Sequence, residues 1–204
     1  MEDKRKYFLI TEAVIYVLFI VYDLRGNDSV FIKYLGILLC MMYCFSKKDL
    51  LFSMALSFTA ISDLFLLVLD RHYEIGVSTF VIVQLLYWFY FHRNGKAYTY
   101  GRLLVFLGIL IGLYVTKNVT VLNVLVSFYF INLCFNFVSS LSDRKYVLLS
   151  FGFFLFICCD ICVGLHNVLP YGKMYSVVSF LMWVFYLPSQ VLISLYCEEN
   201  MHGN

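Results

Sequence analysis

The sequence predicts an all-α membrane protein, a bundle of about eight transmembrane helices. Of the 204 residues, 62% are hydrophobic and only 14% are charged, against about 45–50% and about 25% in soluble globular domains. Mean hydropathy is +0.84. The apolar residues gather into runs at 7–22, 30–45, 50–69, 76–92, 101–116, 119–138, 146–165 and 174–196, separated by short polar breaks. A bilayer-crossing helix needs about 20 predominantly apolar residues. The runs are therefore spans, and residues 1–204 are expected to form a single transmembrane helical domain.

The first run follows Lys4-Arg5-Lys6 and has the outline of a signal peptide. Glu12 interrupts it and no small-x-small cleavage motif follows, so it reads as a retained helix. The breaks at 23–29 and 93–96 carry turn residues, with Asn-Asp-Ser around Gly26 and Asn-Gly in the second. The second run holds Lys33 near its start. Snorkelling to the interface, pairing with an intramembrane acid and contact with a lipid phosphate are all open to it.

The third run, 50–69, carries Asp63 well inside it. An aspartate at a span's centre costs about 2.5–3.5 kcal/mol on insertion scales, so it is kept to pair, to line a cavity or to react. Thr59 lies one turn before it on the same face, and Ser62 adjoins it. The fourth run carries Gln84 and Tyr87, three residues apart and so on one face. The sixth carries Asn123, Ser127, Asn132 and Asn136, of which the last two read as interhelical hydrogen-bond glue. The seventh carries a second deep carboxylate, Asp160. The eighth carries a polar stripe of Ser179, Trp183, Tyr186, Ser189 and Gln190. Pro188 interrupts its ladder and frees the Val184 carbonyl. Tyr186 and Gln190, beside that proline, read as cavity lining.

Two carboxylates at matching depth are best explained by a shared site. Two acids in unlike environments can divide into a proton donor and a stabilising anion. The stretches around them also resemble each other. Leu56-Ser-Phe runs on to Asp63, and Leu149-Ser-Phe runs on to Asp160. Each would lie in the third helix of a four-helix half, which predicts two parallel repeats about the membrane normal. Lys/Arg placement sets the orientation. Lys4, Arg5, Lys6, Lys47, Lys48, Arg93, Lys96, Arg102, Arg144 and Lys145 fall on the side of the N-terminus, against Arg25, Arg71, Lys117 and Lys173 opposite. Both termini are therefore expected to be cytoplasmic.

Several functions are excluded. A net charge of +2 without a basic stripe gives no case for nucleic acid. The 7 cysteines are odd in number and mostly lie in apolar runs, which argues against a disulfide framework. Cys158, Cys159 and Cys162 read as small packing hydrophobes. His72, His92, His166 and His202 fall in loops or the tail, so no zinc set forms in the bundle and no metal or other cofactor is expected. No Gly-x-Ser-x-Gly elbow occurs.

The segments Leu56-Ser-Phe-Thr-Ala-Ile-Ser-Asp63, Gln84-x-x-Tyr87, Phe156-Ile-Cys-Cys-Asp160 and Tyr186-Leu-Pro-Ser-Gln190 resemble, in order and spacing, the YhhN-type lysoplasmalogenase family. The resemblance covers nearly the whole chain. It implies a multi-pass membrane hydrolase that cleaves the vinyl ether of lysoplasmalogens to a fatty aldehyde and a glycerophospho-headgroup. It implies that Asp63 and Asp160 are catalytic and that Lys33 holds the family's basic position in the second helix. Lys33, Ser62, Gln84, Tyr87, Tyr186 and Gln190 are then the candidate substrate-binding residues. The partners would be a lysophospholipid and the bilayer itself, the cell membrane in a bacterium. The chain departs from the family's usual residues at Ser62 (glycine), Gln84 (histidine) and Cys159 (serine). Gln84 cannot shuttle a proton as histidine can. The competing readings are a hydrolase of another lysolipid, a small proton-coupled transporter and a structural membrane protein.

Overall fold

The computed structural model describes the backbone of residues 2–202 and the side chains of residues 3–198. Its helices are α1 (Glu2–Leu24), α2 (Val30–Ser46), α3 (Leu50–Asp63), α4 (Tyr73–Arg93), α5 (Thr99–Val115), α6 (Val121–Ser140), α7 (Val147–Val168) and α8 (Lys173–His202). No strand occurs among the described residues. Among the described residues six segments are long and apolar enough to cross a membrane, while α2 and α5 are shorter, at 17 residues each. An all-α membrane bundle is the architecture.

Local chemistry sets the breaks. Gly26 (φ 72) and Gly95 (φ 70) take the left-handed backbone that lets the chain reverse after α1 and after α4. The Asp49 carboxylate accepts the Phe52 N–H at 3.2 Å and starts α3. The Thr120 hydroxyl accepts the Asn123 N–H at 3.1 Å and starts α6. Between α6 and α7, the Lys145 backbone N–H and then the Lys96 ammonium hold the Asp143 carboxyl below its ordinary range.

The third run is not one uniform helix. α3 ends at Asp63, and Leu64–Val68 winds on as a π turn, with the Leu69 N–H reaching the Leu64 carbonyl at 2.9 Å. A π turn widens the ladder by one residue and recurs at functional sites. Here it begins directly after the buried carboxylate.

The helices form a ring. α2, α3, α4, α6, α7 and α8 each pack on the next, and α8 closes on α2. α1 lies outside against α2, and α5 lies outside against α6. The neighbour pattern of α1–α4 is thus repeated by α5–α8, as expected of two parallel four-helix halves. The chain runs up and down, so its two ends meet. Phe8 stacks on Tyr43 at 4.0 Å, the Tyr43 hydroxyl donates to Glu198 at 2.5 Å, and Lys47 pairs with Glu198 at 2.6 Å. This is the terminal end of the bundle.

At that end the ring is plugged by aromatic side chains. Phe52 touches Tyr87 (5.5 Å) and Tyr196 (5.4 Å), Tyr87 touches Phe153 (5.1 Å), and Phe91 touches Tyr146 (5.5 Å). Such tilted and edge-on pairs each contribute about 0.5–1.5 kcal/mol beyond area. That specificity matters in lipid, where apolar burial itself separates helix from helix poorly.

Three features depart from the sequence reading. Cys44 of α2 and Cys197 of α8 form a disulfide, with Cα atoms 6.0 Å apart. The terminal-end register of these two helices brings the pair level, which cysteine counting does not reveal. Arg102, read as a flanking base, is 5% exposed. It donates to the Ala97 carbonyl (2.8 Å), to Asn132 Oδ1 (2.9 Å) and to Asn136 Oδ1 (2.8 Å), and Asn136 in turn donates to Gln84 Oε1 (2.8 Å). The asparagines are glue as expected, and what they hold is a buried guanidinium that ties α5 to the ring. His92 and His166 lie in the last turns of α4 and α7 rather than in loops, but neither enters the bundle interior. The freed Val184 carbonyl behaves as expected and is taken by the Tyr16 hydroxyl of α1 at 3.2 Å.

Candidate active site

The ring's interior toward the end away from the termini holds both aspartates. Asp63, on the last turn of α3, is 5% exposed. Its Oδ2 accepts the Tyr186 hydroxyl of α8 at 2.7 Å. Asp160 of α7 is partly exposed, and its Oδ2 accepts the Tyr129 hydroxyl of α6 at 2.6 Å. The two carboxylates are thus held by two tyrosines on different helices.

Aromatic rings join the halves of this site. Phe156, one turn before Asp160, lies 5.4 Å from the Tyr186 ring and 6.3 Å from the Tyr129 ring. Phe80 of α4 closes the wall at 5.5 Å from Tyr129 and 5.7 Å from Phe156. Both carboxylates lie within electrostatic reach of Tyr129 and Cys159. Five of the six ring helices therefore contribute a side chain to one cluster. A hydroxyl donor to each carboxylate fixes its orientation, and low local polarity strengthens those bonds.

Lys33 extends the cluster through α2. Its ammonium pairs with Asp23 at 2.8 Å and lies 5.1 Å from the Trp183 ring and 5.6 Å from the Phe19 ring. Trp183 in turn meets Tyr186 edge-on at 5.3 Å. Lys33 therefore reaches the carboxylate cluster through Trp183, and its acid is Asp23, at the end of α1, rather than Asp63 or Asp160. Ser29 also donates its hydroxyl to Asp23.

The remaining candidates are placed differently. The Ser62 hydroxyl donates to the Gly76 carbonyl at 2.6 Å and clamps α3 to α4. Gln84 serves the Asn136–Arg102 network. Tyr87 is packed among Phe52 and Phe153 at the plug. Gln190 donates to Ser189 Oγ at 3.2 Å. Among the described residues no hydrogen bond runs from any of these four to either aspartate. Tyr129 was not legible. It is one aromatic residue in a run rich in them, and only its position three residues before Asn132 hints at an inward face. Among the described residues no group of three or more His, Cys, Asp or Glu side chains could hold a metal.

The YhhN family model matches residues 28–196. It begins after α1, covers α2–α7 and ends within α8. Neither curated proteins nor solved structures give a match.

Proposed function

Because the chain belongs to the YhhN family, which is the lysoplasmalogenase family, we propose that it is a membrane hydrolase that cleaves the vinyl ether of lysoplasmalogens, with Asp63 and Asp160 as its acid pair. The observation that carries this reading is the pair of carboxylates inside the ring, each held by a tyrosine hydroxyl in one aromatic-walled cluster.

Vinyl ethers are cleaved by proton transfer to the β-carbon, which leaves an oxocarbenium ion. Water adds to the carbon bearing oxygen and loses a proton. The resulting hemiacetal collapses to the aldehyde and frees the glycerol hydroxyl. The chemistry needs one carboxylic acid to give the proton and one carboxylate to face the cation and receive a proton from water, much as two carboxylates share glycoside hydrolysis. A positioned acid contributes about 10²–10⁴-fold, and fixed charge facing the cation adds a further electrostatic gain. Tyr186 and Tyr129 keep the two groups aimed. Phe156 and Phe80 offer π faces and a dry wall for the cation and the alkenyl chain. Lys33, one aromatic ring away from Tyr186 and paired with Asp23, would meet the phosphate in this reading.

The test is aldehyde release from a lysoplasmalogen by purified protein in lipid or detergent. Asp63→Asn and Asp160→Asn should each abolish release while the protein still unfolds at a normal temperature. Wild-type activity in either variant removes that residue from the mechanism. Free fatty acid from an acyl lysophospholipid, with no aldehyde from the lysoplasmalogen, would assign the protein to another lysolipid.

A further inference from the structure

Between the carboxylate cluster and the aromatic plug lies a layer of polar atoms that the ring does not satisfy. α3 and α8 are antiparallel across the interior and meet at two levels. Asp63 accepts from Tyr186 at one, and Phe52 touches Tyr196 at 5.4 Å at the other. Thr59 is four residues from Asp63, and Gln190 is four residues from Tyr186, so the two lie level in the space between. Both are 0% exposed. Thr59 Oγ1 and Gln190 Oε1 have no hydrogen-bond partner among the described residues. On α4, Gln84 Nε2 and the Tyr87 hydroxyl are also buried without a partner. Side chains lean toward their helix's N-terminus. For α4 and α8 that is the end holding the aspartates, so Gln84 and Gln190 lean from the plug toward the carboxylates, and the Tyr87 hydroxyl, within electrostatic reach of Asp49 at the start of α3, bounds the layer at the plug.

Buried polar groups find partners almost without exception. Where protein supplies none, an enclosed site with two to four polar groups is where water binds. The inventory here is mixed and suits water. Thr59 and Tyr87 can each give and accept, Gln190 Oε1 only accepts, and Gln84 Nε2 only gives. A cation or an anion would instead need atoms of one kind.

We propose that this layer is an internal water site, with Thr59 and Gln190 as its principal holders and Tyr87 and Gln84 at its edge. The site sits one helical turn, about 6 Å along α3, from Asp63. The plug of Phe52, Tyr87, Phe153 and Tyr196 seals it from the terminal end. Water stored there reaches the aspartates from inside the bundle, while a lipid would reach them from the membrane side. The site itself does not depend on the vinyl ether reading, because it follows from unpaired groups rather than from any reaction.

Millisecond X-ray hydroxyl-radical labelling of the protein in lipid nanodiscs tests it, because bound water makes radicals beside the side chains it touches. Tyr87 and Tyr186 should label several times faster than Phe91, which is also buried but lies among rings. Exposed Tyr171 and Tyr100 set the upper rate. Thr59→Val with Gln190→Leu should slow Tyr87 and Tyr186 to the Phe91 rate and leave Tyr171 unchanged. Tyr87 and Tyr186 labelling no faster than Phe91 in the wild-type protein would overturn the proposal. That comparison needs no variant to fold. Unaltered fast labelling in a folded double variant would also overturn it, by placing the water elsewhere.

Discussion

Tyr186→Phe isolates what the hydroxyl does to Asp63. The substitution removes one oxygen and keeps the ring, so the contacts with Phe156 at 5.4 Å and Trp183 at 5.3 Å survive. What is lost is the 2.7 Å hydrogen bond to Asp63 Oδ2. A hydrogen bond to a charged group contributes about 1.5–3 kcal/mol. At 1.36 kcal/mol per decade of rate, kcat/KM should fall about 10- to 150-fold if the bond is worth most in the transition state. The assay is aldehyde release over a range of lysoplasmalogen concentrations, with thermal unfolding in the same detergent to confirm the fold. Tyr129→Phe removes the corresponding 2.6 Å bond at Asp160. If the carboxylates act as one pair, the double variant should lose less than the product of the single losses, since the second loss strikes a unit already disabled. A folded Tyr186→Phe protein with wild-type kcat/KM would refute the reasoning, because the best-made bond at Asp63 would then be idle in catalysis.

Tyr16→Phe strands the Val184 carbonyl that Pro188 frees and should lower stability by about 1 kcal/mol, read as a drop in Tm with activity retained. Denatured protein alkylated without reductant should take label on the five free cysteines, and on all 7 after reduction; mass spectrometry reads the difference, and seven labels in both samples would deny the Cys44–Cys197 bridge. Arg102→Gln leaves two asparagine oxygens and a backbone carbonyl without their charged donor and should cost about 2–5 kcal/mol. Glu12→Gln, where among the described residues the native carboxylate receives only the Cys40 thiol at 3.4 Å, should change stability by less than about 1 kcal/mol. Equal losses of Tm in these two variants would contradict the contrast between their surroundings.

What the sequence made legible, and what it did not, divides by range. The spans were visible because apolar runs of this length have one stable solution in a bilayer, a helix that satisfies its own backbone. Asp63 and Asp160 stood out because an acid is rare in such surroundings. Tyr186 was marked by the polar stripe beside Pro188. Tyr129 was not marked, because a tyrosine on a lipid-facing, packing or catalytic face reads the same in one dimension. Lys33 was visible as a costly base, but its partner Asp23 lies across a turn from it and on the helix that the family match leaves out. Arg102 was counted with the interfacial bases because it sits near a span's end. Only the packing of α5 against α6 turns it inward. The π turn after Asp63 has no composition of its own, since Leu64–Val68 reads as ordinary helix.

The ring's repeat bears on the chemistry through the places where it fails. Two parallel halves of equal pattern would give their two acids equal surroundings, and two equal acids make a poor donor and anion. The halves are not equal at this point. Asp63 takes its hydroxyl from α8, across the interior, and is followed by a π turn. Asp160 takes its hydroxyl from α6, the adjacent wall helix, and continues in regular α-helix. Asp63 is nearly closed off, while Asp160 keeps part of its surface open. Burial and donor geometry are the two levers that set two carboxylates apart in proton affinity. The repeat therefore puts each acid on the third helix of its half, and the departures from it, Tyr129 against Tyr186 and the π turn against the straight helix, give each its own character.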